Sequence, residues 1–396
     1  MSIRPALVCL AIVVAGGFTM TLPALRAAPL SEQGGQAGAA PTGPKASEVY
    51  KNIQVLTEVP ADQLDVTMRY ISASTGFDCS SCHVQEATGE FAYEKDDRRA
   101  KGTTREMIRL VNAINAGDFG VRASCATCHA GRNRPPGLQL ATLATPDEVA
   151  ARTARQGGSG RAAGPSAQGA GQGRGRQQGP PPTPVEDVIS QFVAAAGGAA
   201  AIERMQARTL VGTMTDRFGQ STSITIEEKA PGRYRETIGS GPDAASRGFD
   251  GTRGWAVQAG RIEDLAAFPT QQMLRMADLG LVARLRSQAS TLQAGRPMQM
   301  DGRAMNRISV PAATGASEQF LFDAETGLAV RRTVSTRTSL GTLVEQYDYS
   351  DYRDVGGVKM PFTITHTTWN AVDTLNVTEV KANPSLADAI FAKPRG

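Results

Sequence analysis

The chain has 396 residues, of which 41% are hydrophobic, 20% charged and 5% aromatic, with 42 Gly and 22 Pro. At roughly 150 residues per domain this length implies two or three domains, and a net charge of +4 is too slight for a dedicated nucleic-acid binder. Five Cys and three His in the whole chain leave few candidates for any redox or metal site.

Residues 1–27 read as an export signal. Arg4 supplies the positive start, Ala6 to Gly17 is an apolar run, and small residues up to Ala27 offer a cleavage point. The run is shorter than the ~18–20 apolar residues of a spanning helix. Export places the mature chain in the oxidising periplasm, and docking on a membrane complex at the outer face of the inner membrane is the companion expectation. Cys9 leaves with the signal, so the mature cysteines are Cys79, Cys82, Cys125 and Cys128.

Residues 28–45 are rich in Gly, Ala, Pro and Gln and predict a flexible tether. From residue 46 to residue 140 helical spacing appears, first at Leu64, Met68 and Ile71, then at Met107, Leu110, Val111 and Ile114. Each of these helices leads into a Cys pair. Residues 141–184 form a Gly/Pro/Gln/Arg-rich stretch that holds Arg155, Arg161, Arg174 and Arg176 and too little apolar surface to fold, which predicts a disordered linker. The mature excess of positive charge lies in this linker, where solvation of a spacer accounts for it. From residue 185 to residue 396 an apolar helix (Val188, Ile189, Phe192, Val193) precedes alternating segments such as Thr209–Thr215, Thr222–Glu228, Leu343–Tyr352 and Phe362–Trp369. Turn signals such as Asp250-Gly251 and Gly356-Gly357 separate them, predicting an α+β domain with a large antiparallel sheet and helices on one side. His366, on an alternating strand, reads as a rim or surface residue, and Trp255 and Trp369 read as core anchors.

The chemistry concentrates in Cys79-Ser80-Ser81-Cys82-His83 and Cys125-Ala126-Thr127-Cys128-His129, two copies of the c-type haem attachment pattern C-x-x-C-H. Two thiols with two residues between them can form thioethers to the two vinyl groups of one porphyrin, and the adjacent His can then reach the iron. The two copies use every mature Cys. A four-Cys zinc site wants its pairs about 15–20 residues apart, whereas 42 residues separate Cys82 from Cys125. Two local disulfides would leave the His after each pair unexplained, and no strand-to-helix context suggests a thioredoxin-like site. The expected cofactors are therefore two covalent c-type haems, with His83 and His129 as proximal iron ligands.

His366 is the one other His, far away in the sheet region, so the sixth ligand must come from elsewhere. Residues 28–140 contain two Met, Met68 and Met107, one on the helix before each motif. A Met on an apolar helix face is ordinarily core filling; here number and placement match the haems. Met68 is assigned to the haem of His83 and Met107 to that of His129. Such His/Met ligation closes the iron to substrates and raises its potential, which favours electron transfer over catalysis.

The stretches Lys51-Asn52-Ile53-Gln54-Val55-Leu56, Met68-Arg69 through His83-Val84, Met107 through Asn115, and Cys125 through His129 resemble the cytochrome c subunit of photosynthetic reaction centres. The resemblance implies a mainly α dihaem cytochrome domain, helical Met ligands before each motif, and redox proteins of a photosynthetic or respiratory chain as partners. The photosynthetic subunits carry two such haem pairs, whereas this sequence has one. In the second half, Gly197-Gly198, Leu210-Val211-Gly212 and Tyr352 through Pro361 are similar to the lipoprotein-carrier half-barrel fold, which implies a concave face able to hold an apolar ligand. The leading expectation is an exported dihaem electron carrier. The alternatives are a lipid or lipoprotein carrier with an accessory haem domain and a dihaem peroxidase, which would need an open iron.

Overall fold

The computed structural model describes residues 43–118, 122–135, 180–312 and 316–395. The expected signal (1–27), the tether up to residue 42 and the linker from residue 141 to residue 179 lie outside the described residues.

The amino-terminal region is helical, with α1 (Ala46–Val49), α2 (Leu64–Thr75), α3 (Cys79–Cys82), α4 (Arg99–Ala116) and α5 (Cys125–His129). The short strands β1 (Val84–Gln85) and β2 (Phe91–Ala92) pair between α3 and α4. Helix α2 stops where Gly76 adopts a left-handed φ of 71° and its N–H closes on the carbonyl of Ser72. Its buried side includes Val66, Tyr70 and Ile71. On α4 the buried residues are Lys101, Arg105, Ile108 and Val111, a helical stripe one residue out of phase with the expected one, so Met107 and Leu110 are exposed. The phase is set by charge. Asp96 pairs with Lys101 and Arg105 at 2.9 Å each, and Arg105 with Lys101 and Asn52 holds its carboxyl well below the usual range.

The carboxyl-terminal region opens with α6 (Val185–Ala195) and α7 (Ala199–Arg204). A meander follows, comprising β3 (Ala207–Thr215), β4 (Ser221–Lys229), β5 (Arg233–Ile238), β6 (Ala245–Phe249), β7 (Gly254–Gln258) and β8 (Arg261–Leu265). After α8 (Ala267–Met276) and α9 (Leu281–Ser287) comes a second meander, β9 (Gln293–Met300), β10 (Arg303–Val310), β11 (Ala316–Asp323), β12 (Ala329–Thr338), β13 (Gly341–Val355), β14 (Val358–Thr367) and β15 (Val372–Ala382). All pair antiparallel in one 13-stranded sheet, in which β3 beside β15 joins the meanders and β8 and β9 are the two edges. The chain from β8 to β9 must therefore pass from one edge to the other. It does so through α8 and α9, whose Met273, Met276 and Leu285 share a core with Val188, Ile189 and Phe192 of α6 and with inward residues such as Ile226, Phe320 and Tyr347.

The expected antiparallel sheet with helices is thus present. Strand β5 was hidden from pattern reading because its inward side is polar. Glu236 is buried there, accepting from the Tyr234 hydroxyl at 2.7 Å and from Arg247 Nε at 2.6 Å. Edge strand β9 carries Arg296 and Pro297, residues that suit an edge but mask strand alternation. Two single-residue expectations are corrected. His366 is buried, not at a rim, because β14 alternates with its even residues inward. Its ring stacks on Tyr347 at 4.3 Å and Nε2 lies 3.2 Å from Glu345 Oε1. Trp255 is buried with Nε1 donating to the Phe391 carbonyl at 2.8 Å, but Trp369, at the β14–β15 turn, is 38% exposed and anchors no core.

The covered face also encloses ion pairs. Arg332, almost fully buried, donates to Glu318 at 2.9 and 3.0 Å and to Asp278 at 3.2 Å, and Arg284 reaches Asp278 at 2.8 Å. Burial alone would raise both carboxyls; Arg332 and Arg284 outweigh it and hold Asp278 and Glu318 low. Glu228 behaves oppositely, because burial outweighs Arg208 and pushes it up. Removing one partner of a buried pair strands the other, so Arg332→Ala is expected to cost about 3–5 kcal/mol in urea unfolding. Because Asp278 and Glu318 sit lower in the folded than in the unfolded chain, their contribution is complete above about pH 5 and lost as pH falls below it. Arg332→Ala should therefore flatten the acid limb of stability against pH; an unchanged limb would contradict this account.

Candidate functional site

Both C-x-x-C-H motifs fold as single helical turns with their own caps. Before α3, Asp78 Oδ1 accepts from the Ser81 N–H at 2.9 Å and from the hydroxyls of Ser80 and Ser81 at 2.9 and 2.7 Å, which keeps its carboxyl ionised well down the pH scale. Before α5, Ser124 and Thr127 form a reciprocal capping box, with Ser124 Oγ accepting from Thr127 N–H at 3.3 Å and Thr127 Oγ1 accepting from Ser124 N–H at 3.0 Å. The two residues between each Cys pair thus shape the turn. That turn sets the two thiols three residues apart on one helix side, with the His one position beyond the second Cys.

The His side chains differ. The His129 Nδ1 lies 2.9 Å from the Arg132 carbonyl. A carbonyl can only accept, so Nδ1 carries the proton and Nε2 presents its lone pair, the arrangement of a metal-ligating imidazole with an oriented outer partner. His83 stands edge-on to Tyr93 at 4.9 Å, and its Nδ1 is buried without a hydrogen-bond partner. Burial, then the nearby Lys101, lowers its pKa and favours the neutral, ligating ring.

The four thiols are all free. Burial pushes the Cys82 and Cys125 thiols up, the reverse of the lowered values that activate thiols for disulfide exchange. Among the described residues no group of three or more His, Cys, Asp or Glu side chains is placed to hold a metal ion. Around the motifs, Tyr93 beside His83 and Met107 and Leu110 on one side of α4 are exposed apolar groups, at 59%, 39% and 51%. A capped pair of thiols, an adjacent neutral imidazole and uncovered apolar side chains are what a covalently attached, largely apolar porphyrin requires. The residues fit haem at both motifs.

The structure brings the two motifs into one helical region. Helix α2 packs on α5, and α4 touches both α3 and α5. Met68 is half-buried against the Val66, Ile71 and Cys125 cluster. The turn after α5 is tied to α2 as well, since Gly131 N–H, two residues past His129, donates to the Ser74 carbonyl at 2.8 Å.

Pattern reading missed that this region packs on the sheet. Val66, Tyr70, Ile71, Ile108 and Cys125 share one buried cluster with Phe268 of α8 and with Leu340 and Leu343 at the β12–β13 turn. Arg69 also lies over the Phe268 ring at 5.6 Å. An apolar Leu340 at a hairpin tip was the available signal. Under the sheet, a cavity of about 90 Å³ is bordered by Phe192, Leu210, Met276, Tyr349 and Ile364 with Arg208 and Asp278. No helix among the described residues is long and apolar enough to cross a membrane.

The helical region that carries the two motifs is similar to known cytochromes. Residues 25–163 match the family described as photosynthetic reaction centre cytochrome c subunit. The photosynthetic reaction center cytochrome c subunit of Thermochromatium tepidum is 38% identical over 104 residues, 24% of this chain and 24% of the relative. The matched stretch therefore spans about a quarter of that relative's length. Solved structures resemble about half of the chain. An outer membrane lipoprotein-sorting protein domain from Vibrio parahaemolyticus covers 53% of this chain and 97% of its own at 9% identity and a TM-score of 0.38. A LolA superfamily protein from Nitrosomonas europaea covers 53% and 98% at 11% identity and a TM-score of 0.38.

A β-carbon at Gly76 would stand 2.7 Å from the Gly131 carbonyl oxygen, on a residue with a φ of 71°. Gly76→Ala should therefore cost about 1–3 kcal/mol in thermal or urea unfolding. A melt unchanged from the parent would show that α2 and the second motif are not locked at this point.

Proposed function

We propose that this protein is an exported dihaem c-type cytochrome that passes single electrons between redox proteins of a photosynthetic or respiratory chain in the periplasm, and that it is not an enzyme. The observation that carries this reading is the pair of capped C-x-x-C-H turns within one helical region, inside the stretch that matches the reaction-centre cytochrome c family. The cytochrome domain is assigned to residues 46–140, followed by an arm over 141–184 and a sheet domain over 185–396. Covalently bound haem supplies a one-electron iron couple.

The chain's own residues do the rest. Cys79 and Cys82 would hold one porphyrin and Cys125 and Cys128 the other by thioether bonds, with His83 and His129 as nitrogen ligands and Met68 and Met107 as sulfur ligands of the iron, and the exposed side of α4 at Met107 and Leu110 would offer apolar cover. Ligands drawn entirely from the chain would favour an electron carrier over a peroxidase.

A pyridine haemochrome assay on protein matured by a cytochrome c assembly system should give two haems per chain, and one in a Cys125→Ala/Cys128→Ala variant; a haem-free parent would end the proposal. Met68→Ala and Met107→Ala should each remove the near-infrared sulfur-to-iron band of one haem. Retention of the full band in both would show that other groups supply the sixth ligand.

A further inference from the structure

Among the contacts that join the helical region to the sheet, one side chain touches both the second motif and the β12–β13 hairpin. Tyr70, nearly fully buried on α2, points its hydroxyl at the Ala126 N–H, 3.4 Å away, between the two cysteines of the second motif. On its other side the ring lies against the tip of the β12–β13 hairpin. A β-carbon at Gly341 would fall 2.2 Å from the Tyr70 hydroxyl oxygen and 2.3 Å from Cζ, so the approach requires glycine there. Leu340 and Leu343, flanking Gly341, close over the same cluster as Cys125 and Ile71. Four residues along α2 from Tyr70, the Ser74 carbonyl holds Gly131, two residues past His129. The second motif is thus gripped at both ends by α2, and α2 is gripped by the hairpin. The first motif's surroundings reach the sheet differently, through the surface ion pair of Glu90 with Arg261 of β8.

We infer that Tyr70 is a positioning residue through which the carboxyl-terminal sheet holds the second attachment helix, so that the sheet sets the environment of the haem at His129 and not that of the haem at His83. This inference rests on the dihaem reading above. The physical basis is burial. Cys125 is buried in the cluster that Leu340 and Leu343 close, so a porphyrin held there would be shielded from water on that side; shielding would disfavour its more charged oxidised state, since potential follows solvent exposure and hydrogen bonding. Loosening the Tyr70 contact should therefore lower one potential of the two.

The test uses the full-length, haem-loaded protein and two variants. Tyr70→Phe removes the hydroxyl and keeps the ring; Gly341→Ala pushes the hairpin away from it. Spectroelectrochemical titration reads both midpoints, and the Cys125→Ala/Cys128→Ala variant identifies which belongs to His129. The expected result is a downward shift of the His129 midpoint in both variants, larger for Gly341→Ala, with the His83 midpoint unmoved and two haems retained. Unmoved midpoints in both variants, or equal shifts of both haems, would overturn the inference while the haem count keeps the electron-carrier reading intact. A parent protein without haem would overturn that reading itself and the inference with it.

Discussion

The helical region and its junction with the sheet depend on the apolar contact between helix α2 and its two neighbours. One side of α2 contributes Val66, Tyr70 and Ile71 to a single buried cluster that takes Cys125 from the second attachment motif and Leu340 and Leu343 from the β12–β13 hairpin. Burying large side chains of this kind is worth about 1.5–3 kcal/mol each. A twelve-residue helix and two attachment helices of four and five residues are near or below the length at which helices persist alone. The helical region has few buried apolar groups of its own and borrows the sheet's. Its polar support is local, with Asp96 pinning α4 and the capping groups of Asp78 and Ser124 shaping each motif.

The sheet, in turn, is organised by a topological demand. Its meanders meet at β3 and β15, which leaves the chain at β8 on one edge and due to resume at β9 on the other. Helices α8 and α9 carry it across, and in doing so they bring Phe268 under Arg69 of α2 and Gln272 to a hydrogen bond with Glu345. The same passage places Asp278 and Arg284 beside Arg332 and Glu318. Those buried charges, with His366 and Tyr347 stacked nearby, lie on the side of the sheet that the helices cover.

How much of this was legible beforehand differs between the two halves. The attachment motifs could be read outright, because C-x-x-C-H is a local pattern whose chemistry fits in five residues. Met68 and Met107 are nominated as iron ligands by counting, since residues 28–140 hold two Met and no His outside the motifs. The long strands β3, β4, β13 and β14 showed their alternation. Strand β5 did not, because Tyr234 and Glu236 face inward as a hydrogen-bonded pair rather than as two apolar groups. His366 was misjudged for the same reason, since a polar residue on an inward position looks like an exposed one until its partner Glu345 is seen. The phase of α4 was missed because half of its buried stripe is Lys101 and Arg105. The docking of the two halves through Tyr70 and Gly341 was beyond reach, because the two are 271 positions apart in the chain.

The dihaem carrier proposed above requires that both irons be closed, six-coordinate electron-transfer centres with ligands from the chain. Low-temperature electron paramagnetic resonance of the oxidised, full-length protein tests it most directly. Two low-spin ferric signals of equal weight, with no high-spin component, are the result this account expects; a high-spin signal from either centre, or no ferric haem signal at all, would contradict it.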